Sequence, residues 1–211
     1  MQKKQTMVSA VLIVFTAALF SCTKEPLNNL TQEETRIYVT NSDTTVNFSA
    51  FKTYSIADSA SVLNNGQSYK DLTDVDQAYI DAVNKYMQQR GYILVDKNSN
   101  PDIGIDVNRI YSTATGYYSY NDYWNDYSGY WDPYYWGYGG YGYYVPAFYG
   151  VYQVTEGAVS IDMLDLKNAN SKGKIDIIWN GLIRGEGIFS ASTADSSVKA
   201  LFDQSTYLHT N

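Results

Sequence analysis

The sequence predicts an α+β domain, a two-layer sandwich with two helices on one face of a mostly antiparallel sheet, in the order ββ-α-ββ-(aromatic loop)-ββ-α. Three observations carry the prediction. Residues 74–90 place Val75, Tyr79, Ala82, Val83, Tyr86 and Met87 at helical spacing. Residues 102–110 alternate strictly, with Ile103, Ile105 and Val107 on one side and Asp102, Gly104, Asp106 and Asn108 on the other. A strand with one polar side belongs in a sheet with one wetted face. A second helical pattern, opened by Ser192-x-x-Asp195 and carrying Val198, Leu201 and Phe202, closes the chain, and helices that share a sheet face make a two-layer domain.

Taken in order, residues 35–41 (TRIYVTN) hold the β-branched and aromatic residues of a first strand. Asp43-Thr44-Thr45 marks a turn, and residues 48–57 read as a second strand. Residues 59–71 are rich in Ser, Asn and Gly and read as a loop. Thr73 with Asp76 forms a variant of the capping box ahead of the first helix, and Gly91 is its stop. Residues 92–96 are a short strand, and Lys97-Asn98-Ser99-Asn100-Pro101 a turn before the alternating strand. Residues 154–166 and 175–183 form the last two strands around a polar turn at 167–174. Val159, Ile161 and Met163 share a face of the first, and Ile175, Ile177 and Trp179 a face of the second. No repeat of 20–50 residues is present, so a solenoid is not indicated.

A length of 211 residues suits one domain with a real core. The net charge of −7 argues against a nucleic-acid binder. A single cysteine excludes an intrachain disulfide and a cysteine metal cage. The one histidine, His209, stands two residues from the C-terminus, which removes most triads and histidine-ligated metals.

The first residues read as an address. Lys3 and Lys4 precede an apolar run from residue 7 to 20, and no acid occurs before Glu25. A basic start followed by ~7–15 apolar residues is a secretory signal. A membrane span needs about 20 such residues, so this run is too short to remain as one. It ends in Leu19-Phe20-Ser21-Cys22, which resembles the bacterial lipobox. The resemblance implies a lipoprotein signal peptide over 1–21, cleavage before Cys22, and acylation of Cys22. Residues 22–34 then form a lipidated polar tether, and 35–211 a single domain. The alternative is a secreted protein with a free thiol near its start. Loss of Lys3 and Lys4 leaves the remainder more acidic still, so acyl chains rather than attraction to anionic lipid must do the anchoring.

Residues 116–152 differ from everything around them. They hold Trp124, Trp131, Trp136 and most of the 22 tyrosines, with Asp122, Asp126 and Asp132 as the only charges. Neither strand nor helix period persists, and the stretch is far longer than a hairpin loop. Three readings compete: a low-complexity insertion packed loosely on its own domain, a binding surface, or contact with a membrane interface. For a binding surface, Tyr and Trp supply rigid amphipathic area while Ser, Gly and Asn adapt around them. Trp124, Trp131, Tyr134, Tyr135 and Trp136 are then the ligand-contact candidates. With no aliphatic pattern in the segment, the core is expected not to depend on it.

Familiar chemistry is missing. Asp96-x-Asn98-x-Asn100 starts like a calcium loop, but Pro101 stands where Gly is required and Val107 where Glu is. Asp71, Asp74 and Asp76 suit the start of a helix. Asp162 and Asp165 lie on opposite sides of a strand. Gly185-Glu186-Gly187 is a turn, with no phosphate-loop pattern. No cofactor, metal site or catalytic residue is nominated.

With the strands placed, a family resemblance emerges. Phe48-Ser49-x-Phe51-Lys52-Thr53-Tyr54, Arg90-Gly91-Tyr92, Pro101-Asp102-Ile103-Gly104-Ile105, the stretch from Gly157 to Asp165 and Ile178-Trp179-Asn180-Gly181 occur in the order and spacing of a bacterial lipoprotein family, domain of unknown function 4136. The end, Leu201-Phe202-Asp203-Gln204-Ser205-x-Tyr207-Leu208, is similar to versions from Bacteroidota. The resemblance implies fold and location; it carries no catalytic residues. The expected function is a lipid-anchored cell-envelope protein, held in the outer membrane by Cys22 and facing the periplasm rather than the cell surface. A non-catalytic binding or scaffolding module that meets a glycan or another envelope protein is favoured over an enzyme. The rival is a carboxylate-dependent envelope hydrolase of unrecognised type.

Overall fold

The computed structural model describes residues 30–64, 67–111, 117–119, 133–145, 151–153 and 157–210. The expected signal peptide and lipobox with Cys22, and Trp124 and Trp131, lie outside them. The chain divides into two compact units, Met1–Glu34 and Thr35–Asn211. In the first, Thr31 donates through N–H and hydroxyl to the Glu34 carboxylate, closing a short turn.

The second unit is a mixed α/β fold with a large open sheet of nine strands, mostly antiparallel. Its spine runs β1 (Ile37–Ser42), β11 (Lys174–Arg184), β10 (Ala158–Asp165), β6 (Ile103–Ile110), β2 (Thr53–Ile56) and β5 (Ile93–Leu94). The long pairings β1–β11, β11–β10 and β10–β6 are antiparallel. β3 (Ala60–Asn64) pairs parallel with the second half of β6, as β2 does with the first half, so the two continue one another along one edge. β4 (Gln67–Asp71) closes a hairpin on β3, and β8 (Gly142–Tyr144) pairs parallel with the start of β11. A separate two-stranded sheet joins β7 (Tyr117–Ser119) to β9 (Val151–Gln153).

The helix α1 (Asp74–Gln89) is capped as its sequence dictates. The Thr73 hydroxyl accepts from Asp76 N–H while the Asp76 carboxylate accepts from Thr73 N–H. Asp76 is also held by Arg109 at 3.4 Å, which ties the helix start to β6. Gly91 follows with φ +89°, a conformation that a side chain would strain. α2 (Ala169–Lys172) is a single turn inside the expected polar turn. α3 (Ala191–Gln204) begins one residue before Ser192. The expected Ser192–Asp195 cap is not formed, because Asp195 is drawn instead to Lys85 and Tyr86 of α1.

One apolar cluster gathers α1 (Tyr79, Val83, Met87), α3 (Val198, Leu201, Phe202) and the sheet residues Ile105, Ile161 and Trp179. A second gathers Leu63, Ile110, Leu164, Leu166, Ile175 and Ile177 around Trp136. Here the sequence reading needs correction. All eight residues of β6 and all eight of β10 are buried, so these central strands have no wetted side and the polar face expected of β6 is covered. Gly104, Asp106 and Asn108 point into a covered face. Part of that cover is the aromatic segment itself. Residues 133–145 supply Pro133 and Trp136 to the interior and β8 to the sheet, so the core does depend on them.

Three further corrections have local causes. Residues 59–71 form the β3–β4 hairpin because Val62 and Leu63 are buried against β6, and the Asn65-Gly66 dipeptide between the strands is a hairpin signal. The expected second strand is shortened at its start. Asn47 accepts from Ser49 N–H and holds residues 48–50 in a 3-10 turn, while Asp102 accepts from Lys52 N–H at 2.6 Å. Finally, Trp179 does not share a face with Ile175 and Ile177. The β10–β11 register shifts at Met163/Leu164, so that Met163 opposes Trp179 while Leu164 opposes Ile177. The extra residue, Ile178, switches the side-chain phase, sending Trp179 to the helices and Ile175 and Ile177 to the opposite face.

Candidate binding cleft and a buried acid row

The turn between β5 and β6 builds one wall of a cleft of ≈ 250 Å³. Asp96 accepts from Asn98 N–H at 2.8 Å and caps the 3-10 turn Lys97–Ser99. Asn100 then takes a left-handed conformation (φ 52°), which Asn tolerates better than most residues. Together they present Lys97, Asn98 and Asn100 to the cleft. Asn170 of α2 adds a third amide.

The opposite wall is the aromatic segment, a strap over residues 133–145. Pro133–Trp136 form a 3-10 turn, Gly137 has φ +85°, and Tyr138 N–H returns to the Pro133 carbonyl at 2.7 Å. Trp136 and Tyr138 line the cleft. Tyr138 is pinned by its hydroxyl, which donates to the Leu166 carbonyl at 2.9 Å, and the Tyr141 hydroxyl donates to Asn170 at 3.3 Å. Trp136 is only 4 % exposed, and its indole N–H has no acceptor among the described residues. Its six-membered ring lies against Gly104, where a Cβ would sit 3.2 Å from Cε2 and Cζ2.

The candidate contact residues therefore separate. Tyr134 stands outward at 73 % exposure. Tyr135 is clamped: Lys97 Nζ lies 3.8 Å and Lys70 Nζ 4.8 Å from its ring centroid, and its hydroxyl accepts from Asp58 N–H at 3.2 Å. Burial pushes the Tyr135 hydroxyl pKa up to about 12. Trp136 meets Tyr135 edge-on at 4.8 Å and joins the interior. The sequence reading missed Lys97, Asn98, Asn100 and Asn170. Their signal was three amides in two segments that looked like plain turns.

A second polar feature crosses the covered face of the sheet. Asn180, Asp162 and Asp106 stand abreast on β11, β10 and β6. The Asp162 carboxylate accepts from Asn180 Nδ2 at 2.7 Å, Asn108 Nδ2 at 2.9 Å and Ser160 Oγ at 3.1 Å. Asp106 is 0 % exposed, and neither of its oxygens has a donor among the described residues. Burial first, and the Asp162 charge second, hold its carboxyl well above the usual carboxylate range, with Lys70 opposing. The two acids converge, but both are sealed from solvent in this arrangement. Among the described residues, no group of three or more His, Cys, Asp or Glu could hold a metal.

Comparison with known proteins gives one consistent answer. The family profile described as Domain of unknown function (DUF4136) matches residues 38–205. The crystal structure of a DUF4136 family protein from Bacteroides thetaiotaomicron is similar at a TM-score of 0.69 and 29% identity, covering 83% of this chain and 98% of that one. No curated protein matches the chain. A profile match over residues 38–205, which takes in both long helices, together with a solved relative of the same family, establishes that the chain belongs to the DUF4136 family.

Proposed function

We propose that the chain is a lipid-anchored envelope module that binds a polyhydroxylated ligand, a glycan end, in the cleft between the Asn98–Asn100 turn and the aromatic strap. The carrying observation is the pairing of two walls: the amides of Asn98, Asn100 and Asn170 with Lys97 on one side, Trp136 and Tyr138 on the other. An amide offers both donor and acceptor, which suits neighbouring hydroxyls. The half-buried Tyr138 ring, backed by Trp136, suits the apolar side of a sugar ring, and Lys97 favours an acidic sugar. The volume lies just below the ~300–1,000 Å³ of drug-sized pockets, so a single ring or chain end is the fitting occupant. The full burial of Asp106 and Asp162 speaks for binding over carboxylate hydrolysis.

Titration of the full chain with acidic and neutral saccharide fragments tests the cleft. Asn98→Ala with Asn170→Ala is expected to weaken binding at least tenfold, about 1.4 kcal/mol, with an unchanged melting temperature. Binding that survives both substitutions, or no binding by the unaltered chain, overturns the reading.

The anchor rests on the lipobox, and no helix among the described residues is long and apolar enough to cross a membrane. Cys22→Ala is expected to abolish acyl labelling and release the protein from the outer-membrane fraction. A variant that keeps the label and stays with the membrane refutes the anchor. Protease treatment of intact cells tests the periplasmic side, since removal of the domain would place it on the surface.

A further inference from the structure

Asp106 is fully buried on the side of β6 that also carries Gly104. The Trp136 ring rests on Gly104, two residues away on the same face of β6, and Tyr135 is near enough for its hydroxyl to feel the Asp106 charge. The groups facing Asp106 come from three elements: Asp162 on β10, Lys70 on β4 and Tyr135 in the strap turn. Lys97 and Asp58 contact Tyr135. The donors of this face are spent on Asp162, which takes both amides and the Ser160 hydroxyl. Among the described residues no donor bonds Asp106 in this arrangement, a like charge lies beside it and Lys70 offsets that repulsion only in part, so water is a ready source of donors once Asp106 is charged. The strap pairs with the sheet over the three residues of β8, alongside the Tyr135, Tyr138 and Tyr141 hydroxyl contacts, the Lys70, Lys97 and Lys174 contacts with its rings and the buried Trp136, whereas β10 is bonded on both sides along its whole length.

We propose that the strap over residues 133–145 is a proton-operated latch, closed over a neutral Asp106 and lifted from the sheet when Asp106 loses its proton. The closed state binds one proton more than the open state, in which Asp106 regains water and an ordinary carboxylate pKa. Closure is therefore strongest below that value and weakens as pH rises, up to tenfold per pH unit, until the closed state itself titrates. Because Trp136 and Tyr138 wall the cleft, opening dismantles that wall. The latch itself does not depend on what the cleft holds.

Amide hydrogen exchange of the full chain, without ligand, reads the latch directly. Protection of the 133–145 amides, corrected for intrinsic base catalysis, is expected to fall with rising pH up to tenfold per unit, while β6 and β10 keep theirs. Asp106→Asn, a neutral isostere, is expected to flatten that slope and to protect the strap more than the unaltered chain at pH 7. A flat profile in the unaltered chain overturns the proposal whether or not the variant folds. An equal slope in Asp106→Asn, or loss of protection in β6 and β10 in step with the strap, does so as well.

Discussion

Trp179→Ala unfolds the domain or leaves it barely folded. The indole is fully buried, packs on Phe202 of α3 at 6.1 Å, and donates its N–H to the Ser205 hydroxyl at 3.0 Å. Gly181, on the same strand, is kept free of a side chain by that ring and by Leu201. Truncating a buried Trp costs ~3–5 kcal/mol, and stranding the Ser205 partner adds about 1 kcal/mol. Domains of this size hold only ~5–15 kcal/mol in total. Urea denaturation followed by circular dichroism should show the midpoint falling by half or more. Trp179→Phe keeps most of the packing and gives a smaller loss. An unmoved midpoint for the alanine variant would mean that α3 does not rest on β11 through this residue.

Replacing residues 116–152 by a short Gly/Ser linker comes next in size, and its expected direction is the reverse of what the composition suggests. Chain closure contributes little, since doubling a loop costs only ~0.6 kcal/mol. The loss comes from the face laid bare. Trp136 leaves the interior, β8 leaves β11, and Leu164, Leu166, Ile175 and Ile177 meet water. At ~3–5 kcal/mol for the tryptophan alone, the linker variant is expected to melt far below the unaltered chain and to bind hydrophobic dyes. Trp136→Ala in the full chain separates burial from connectivity and is expected to reproduce most of the drop. A linker variant as stable as the full chain would restore the reading of the strap as a dispensable insertion.

What was legible in the residues follows from the range of the forces involved. The capping box at Thr73 and Asp76, the periodicity of α1 and the alternation of β6 are local patterns, and each element formed where its pattern lay. The β3–β4 hairpin had only the Asn65-Gly66 dipeptide to announce it amid polar neighbours, and its pairing with β6 is a contact more than 40 residues away in sequence. The phase of β11 was illegible for a similar reason. Ile175, Ile177 and Trp179 alternate perfectly in one dimension, and only the register against β10 shows that one residue is extra.

The candidate site divides in the same way. The sequence by itself determined that histidine and cysteine chemistry is scarce in this chain, with one of each, and that the aromatic residues are concentrated in one segment, because composition does not depend on folding. It also determined the family, through short motifs that mark strand ends and core positions. Tertiary structure alone decided which aromatics face water and which fill the interior. Trp136 and Tyr134 are two residues apart with similar chemistry, yet one is sealed against Gly104 and the other stands in solvent. It decided, too, that Asp106 is a buried acid. On the strand pattern Asp106 was a solvent-facing residue, and it became otherwise only because a segment with no periodicity of its own found a sheet face to cover. Burial is a property of what lies on top of a residue, and nothing in the alternation of a single strand records that.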